Sequence, residues 1–298
     1  MTHIPDILCI GAAHWDIIGH SPAQIGPGDD VPGHIEQTPG GVAFNIAGML
    51  ARLGLRPALI AAIGQDMAGT ALVTAIKAAA IDTRGLVMRE GWRTDSYLAI
   101  EGANGLVAAI AGSAALEALD ISCLAPLHDG RLATRDAPWR GPVVLDSGLS
   151  GALLQALALA PELHGADLRL TAASPAKAAR LKPFLGRPRC SFYLNLAEAG
   201  QLCDTTFTDS ASAARALLRQ GAARVLVTHG PHSVTDADAT AELTLPPPAI
   251  TARRATGAGD CFMGAHIAQE ITGAPRHAAL QFALQAAADH VAHPPNQS

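Results

Sequence analysis

The sequence predicts an α/β fold, a mainly parallel central sheet flanked by helices, in a single domain spanning residues 1–298. Three observations predict it. Apolar runs at 7–10, 58–63, 143–146, 168–171, 192–194 and 224–228 are short, and several end in a polar residue. That is the pattern of strands buried on both faces. Ala/Leu-rich stretches of helical period lie between them, which gives the βαβα rhythm of a parallel sheet. At 94–111 the rhythm changes to two alternating segments around Asn104-Gly105, a hairpin signal. The hairpin is expected to form a lid or a small second sheet.

In chain order, 7–10 reads as a buried strand stopped by Gly11, and 12–20 as its continuation, with His14 and Asp16 on one side. Pro and Gly crowd 21–41, so this is loop with room for a short strand at 34–37. A helix follows with apolar residues at 46, 49, 50 and 53, and Gly54 suits its end. The strand at 58–63 leads to a helix over 67–80, and 128–142 reads as loop. Helices over 257–273 and 276–292 close the chain, with 293–298 as a loose tail.

Bulk composition narrows the function. Hydrophobic residues make up 49% and charged residues 16%, enough for a large core and too apolar for disorder. A net charge of −5 without a basic cluster argues against a nucleic-acid polymer as partner. The five cysteines, at 9, 123, 190, 203 and 261, form no C-x-x-C pair, which fits a reducing cytoplasm and speaks against a disulfide framework or zinc site. No apolar run is long enough to span a bilayer, and no signal peptide pattern opens the chain. The phosphate-binding G-x-x-x-x-G-K-[ST] motif and the G-x-S-x-G elbow are both absent.

Chemistry concentrates at Thr256-Gly257-Ala258-Gly259-Asp260, a small-residue turn entering an apolar helix. Such a turn leaves backbone N–H groups unpaired at the positive end of the helix dipole, which suits an anion. Asp260 repels an anion and reads equally as a helix cap. A phosphoryl transfer to a hydroxyl needs both parts: amides for the developing charge and a carboxylate to take the proton. Ligands of open parallel sheets sit beyond the carboxyl ends of the strands, which gathers Asp16, Asp146, Asn195, Thr228 and Asp260 at one edge. Each has a plainer alternative. Asp16 and Asp146 can be strand-end residues, Asn45 a helix start, and Asn195 with Glu198 a capped helix start. Trp15 and Trp92 suit base stacking or packing.

Four segments in order carry a resemblance. Gly40-Gly41 with Asn45, Ala47 and Leu53-Gly54 resembles the N-terminal signature of the ribokinase-like (PfkB) kinases of carbohydrates and nucleosides. Asn195-Leu196-Ala197-Glu198 is similar to their N-x-x-E element, Val227-Thr228-His229-Gly230 to their nucleotide-binding strand end, and Thr256 to Asp260 to their C-terminal signature. Within the family, Gly11 to Asp16, Pro32 to Ile35 with Thr38 to Val42 and Asn45 to Ala47, and Thr94 to Leu98 look like the branch that acts on pseudouridine.

The resemblance implies a ribokinase-like three-layer sandwich with a small β-sheet lid from about 12–20, 34–38 and 94–111. It implies an ATP- and Mg2+-dependent transfer to the 5′-hydroxyl of a nucleoside, with ribose, another nucleoside or a ketohexose derivative as alternative acceptors. A non-catalytic sugar or nucleotide sensor is the alternative of another class. Asp260 would be the base and Gly257, Ala258 and Gly259 the anion hole. Asp16, Gly40, Gly41, Asn45 and Ser96 would bind the acceptor. Asn195, Glu198, Thr228 and Gly230 would serve ATP, with Glu198 holding Mg2+ through water. A homodimer through the lid is a further expectation. His14 stands where relatives often have Asn, Thr171 where related kinases often have Asp, and Ser233 lies near a missing second glycine. Arg254 stands where many relatives place an Asp beside a monovalent cation. A fixed guanidinium there repels such a cation, so K+ is not expected to be required.

Overall fold

The computed structural model describes residues 4–251 and 256–292. All four residues of β1 (Ile7–Ile10) are fully buried, yet they serve two cores. Leu8 and Ile10 pack into one and Ile7 and Cys9 into the other, as the strand's period of two requires.

Gly11 ends β1, and the chain leaves for β2 (His14–His20) and β3 (His34–Gly40). Then come α1 (Val42–Arg52), β4 (Pro57–Ile60), β5 (Ala62–Gly64), α2 (Met67–Ala78) and β6 (Val87–Arg89). β7 (Ser96–Gly102), β8 (Gly105–Gly112) and α3 (Ala114–Glu117) follow. The rhythm resumes with β9 (Pro142–Asp146), α4 (Gly151–Leu159), β10 (Asp167–Thr171), α5 (Pro175–Ala178), β11 (Cys190–Asn195), α6 (Leu196–Cys203) and α7 (Ser210–Arg219). β12 (Arg224–His229), β13 (His232–Asp238), β14 (Glu242–Leu245), α8 (Ala258–Ile271) and α9 (Arg276–Ala292) complete the chain.

The large sheet has the order β14-β13-β12-β11-β10-β9-β1-β4 and is parallel from β12 to β4. Helices α3 to α7 contribute to the core on one face, and α1, α2, α8 and α9 to the core on the other. Burying each large aliphatic side chain there contributes about 1.5–3 kcal/mol. A separate four-stranded sheet has the order β3-β2-β7-β8, and its edge strand β8 is exposed along its whole length.

Three expectations need correction. Segment 12–20 does not continue β1. Ala12 and Ala13 are a link, and β2 belongs to the small sheet, because Gly11 turns the chain at the sheet's carboxyl edge. Segment 58–63 is two strands, β4 in the large sheet and β5 paired with β6. The hairpin loop is Ala103-Asn104, with Gly102 paired to Gly105, which takes the left-handed φ of +88°. The antiparallel β13–β14 edge gave no strong alternation to read. The tail 293–298 lies outside the described residues.

A buried ionic network fixes α8 against the sheet. Glu270 binds Arg169 of β10, and Arg224 of β12 at 2.5 Å. Asp236, fully buried, takes Arg224 and Arg276 at 2.7 Å each. His266 Nδ1 meets the Tyr193 hydroxyl at 2.9 Å. Desolvation offsets much of the attraction in such a network, so its main effect is to set the position of the helix.

Candidate active site

The site begins with what holds the β1–β2 link. Asp146, at the end of β9 and fully buried, accepts the N–H of Ala12 at 2.7 Å and of Gly148 at 2.6 Å. Burial pushes its carboxyl pKa up against those two bonds. A Cβ at Gly11 would lie 1.9 Å from Asp146 Oδ2. The carbonyl of Ala12 in turn accepts Phe44 N–H at 3.1 Å, from the first turn of α1. Gly41 caps α1 at φ +102°, and a Cβ there would lie 2.5 Å from the Ala12 oxygen. Asp146 therefore holds the β1–β2 link and, through the Ala12 backbone, the start of α1.

Asp16 reaches across β3, with its carboxylate lying over Gly40, where a Cβ would be 2.1 Å from Oδ2. His14 Nδ1 lies 3.2 Å from Asp16 Oδ1, at an angle that makes no regular hydrogen bond. Ser96 does not join this group. It pairs with Trp15, and Tyr97 pairs with Asp16, so by strand alternation Ser96 faces the other side of the small sheet. Trp15 donates its indole N–H to Ala68 O at 2.9 Å and packs on the core; Trp92 also packs on a core, with Arg89 over its ring at 4.9 Å. Both tryptophans are packing residues.

Asn45 and Asp260 are 215 positions apart, and the Asn45 amide donates to Asp260 Oδ2 at 2.9 Å. One turn further along both helices, Gly264 faces Met49, where a Cβ would come within 2.8 Å of Met49 Cβ. Glycine inside a helix costs about 1 kcal/mol against alanine. Here it lets α8 approach α1 closely enough for the Asn45–Asp260 bond.

Helices α2, α4, α6 and α7 begin under side-chain caps from Asp66, Ser150, Asn195 and Asp209. Helices α1 and α8 begin at Gly41 and Gly257 with none. Gly257 takes φ +78°, and the N–H groups of Ala258, Gly259 and Asp260 in the first turn have no acceptor within the helix. Asp260 is half-buried. Loss of water pushes its pKa up to about 6, against the Asn45 bond and aided by the charges of Asp146 and Asp16. An acid in that range holds and releases a proton near neutral pH.

A cavity of about 530 Å³ is lined by Asn195, Thr228 and Gly230 together with Gln201, Phe207 and His229. Gly230 turns between β12 and β13 at φ +52°. Asn195 and Glu198 form a reciprocal cap: Asn195 Oδ1 accepts Glu198 N–H at 2.9 Å, and Glu198 Oε2 accepts Asn195 N–H at 2.8 Å. The plainer reading of this pair is thus correct, and it still leaves a buried carboxylate bonded to Asn195, which lines the cavity. Burial, with a contribution from Asp260, pushes Glu198 up to about 7. Among the described residues no three His, Cys, Asp or Glu side chains form a metal cage. One carboxylate is enough for a magnesium ion held mainly by water and phosphate, and Glu198 would hold it in its ionised form.

Gln201 and Phe207 carry no motif in the sequence, whereas His229 lies in the strand-end segment Val227 to Gly230. Gln201 lies on α6, and Phe207 follows the turn that Asp204 makes after that helix at a left-handed φ of +53°. Arg254 lies outside the described residues. No helix among them is long and apolar enough to cross a membrane.

Known proteins match at three levels. A pseudouridine kinase of Escherichia coli is 36% identical over 94 residues, 32% of this chain and 30% of that one. That aligned stretch spans less than a third of either protein. An uncharacterized sugar kinase of E. coli, YeiI, is 29% identical over 285 residues, 94% of this chain and 76% of its own. The structure of Arabidopsis thaliana ribokinase complexed with ribose and ATP superposes with a TM-score of 0.80 at 19% identity, covering 97% and 93% of the two chains, so the fold is ribokinase-like. The model of the pfkB family of carbohydrate kinases matches residues 5–295, and the chain belongs to that family.

Proposed function

We propose that this protein transfers the γ-phosphoryl group of ATP, with Mg2+, to the 5′-hydroxyl of a nucleoside, and that the nucleoside is pseudouridine. The observation that carries the reading is Asp260: a carboxyl with a pKa near 6, tied to Asn45, in the first turn of a helix without a side-chain cap. In this reading Asp260 accepts the hydroxyl proton as the nucleoside oxygen bonds to phosphorus and the bond to ADP breaks. The amides of Gly257, Ala258 and Gly259 take up the negative charge of the transferred group. Asp16 and Asn45 accept and donate to the sugar diol, with Gly40 and Gly41 leaving room for it. Asn195, Thr228 and Gly230 line the ATP site. Mg2+ beside Glu198 would neutralise phosphate charge. The small sheet closes over the sugar and excludes water, the competing acceptor.

The named pseudouridine kinase supports the choice of acceptor. The longer match to a sugar kinase favours a free sugar as the second reading. A screen with ATP and Mg2+ against pseudouridine, uridine, adenosine, ribose and fructose derivatives decides between them. Pseudouridine is expected to turn over at least tenfold faster than the others, on the order of the discrimination a few buried contacts provide. Turnover should be unchanged when K+ replaces a large inert cation. Preference for ribose would remove the nucleoside reading, and a several-fold rise with K+ would remove the cation-independence assigned to Arg254.

A further inference from the structure

The Thr256–Gly257 turn has no side-chain cap of its own, and Gly257 is the residue type with the most backbone freedom. A turn of this kind swings unless something outside it holds it. His290, in the last turn of α9, supplies that hold. Its Nε2 lies 2.9 Å from the Thr256 carbonyl oxygen. A carbonyl only accepts, so Nε2 carries the hydrogen and donates. The same ring edge covers Gly257: a Cβ there would lie 3.1 Å from Nε2 and 3.4 Å from Cε1. Glycine at 257 is therefore required twice, by its φ of +78° and by the imidazole against it.

The consequence follows from the planarity of the peptide. In a trans peptide the C=O and the next N–H point in opposite directions. Fixing the Thr256 carbonyl toward α9 sends the Gly257 N–H away from α9 and fixes the plane from which the amides of Ala258 and Gly259 continue. We propose that His290 is a positioning residue for phosphoryl transfer. It orients the 256–257 peptide so that the turn's amides converge on the transferred group, without itself touching substrate. The inference rests on the reading of Gly257 to Gly259 as the phosphoryl site. Misplacing preorganised groups by about 1 Å costs up to about 10²-fold in rate, which sets the scale of the effect.

The test compares His290→Gln, His290→Asn and His290→Phe in the full chain, using the acceptor that the unaltered protein phosphorylates. The Gln amide extends far enough to donate to the Thr256 carbonyl, the Asn amide is one methylene shorter, and Phe keeps the ring without the donor. Expected are a kcat lowered about tenfold or more in Asn and Phe, a kcat within about threefold in Gln, and an acceptor KM within about threefold in all. Thermal melting reports on folding. If Phe fails to fold, the Gln–Asn pair carries the comparison. Unchanged kcat in Asn and Phe, or a loss in Gln as large as in Asn, overturns the inference and leaves the kinase reading standing. An unaltered protein that phosphorylates no acceptor overturns both.

Discussion

Asp260→Asn is expected to lower kcat by about 10² or more, with the nucleoside KM changed by no more than a few-fold. The amide keeps the size of the side chain and can still bond Asn45, but it cannot accept the hydroxyl proton. Two further readouts separate a base from a helix cap. The unaltered protein should gain activity as pH rises through about 6, where Asp260 loses its proton, and the variant should lack that limb. Stability should move the other way. A carboxyl whose pKa is raised on folding binds its proton more tightly in the native state. The native state is then favoured below its ordinary value of 3.8, and that advantage is lost as pH rises through about 6. At pH 7 the charged Asp260 costs stability, so the Asn variant should melt no lower than the unaltered protein. Unchanged kcat in the variant would remove Asp260 from the base role.

Gly41→Ala should damage both fold and acceptor binding. Gly41 sits at φ +102°, and an added Cβ meets the Ala12 carbonyl oxygen at 2.5 Å and its carbon at 2.7 Å. These are backbone atoms, and Ala12 is held by the fully buried Asp146. No flexible side chain can give way, so the start of α1 must shift. The expected cost is about 3 kcal/mol or more, from strain at the φ and the displaced helix start together. Melting should fall by about 5 °C or more, and the KM for the acceptor should rise about tenfold because Asn45 moves with α1. A variant that melts within a degree of the unaltered protein and keeps its KM contradicts this account of the α1 start.

Much of the fold was legible because the strands of a parallel sheet are short and apolar and end at polar residues. The runs at 143–146, 168–171 and 224–228 are β9, β10 and β12 to within two residues. What was not legible depended on direction rather than pattern. Residues 7–20 look like one apolar segment, and only the turn at Gly11 divides them between two sheets. Residues 58–63 behave in the same way. The site shows the same limit. Gly41, Asn45, Asn195, Glu198 and Asp260 occupy motif positions, and the structure brings Asn45 to Asp260. Ser96 also lies in a motif-like stretch, but a one-residue difference in register turns it to the far side of the small sheet. In the sequence Asp146 reads equally as a plain strand-end residue. Its bond to Ala12 and its effect on Asp260 become visible only when β9 and the β1–β2 link are adjacent. His290 belongs to no motif, since its partner lies 34 positions away on another element.

The most direct test of the central claim is the phosphorus NMR spectrum of ATP, Mg2+ and pseudouridine incubated with the unaltered protein and with Asp260→Asn. The account predicts, with the unaltered protein, a new phosphomonoester signal coupled to the two 5′ protons of the ribose and growing in step with ADP, and at most a trace of it with the variant. A phosphomonoester formed at equal rates by both proteins, or ADP released with no phosphorylated nucleoside, would contradict it.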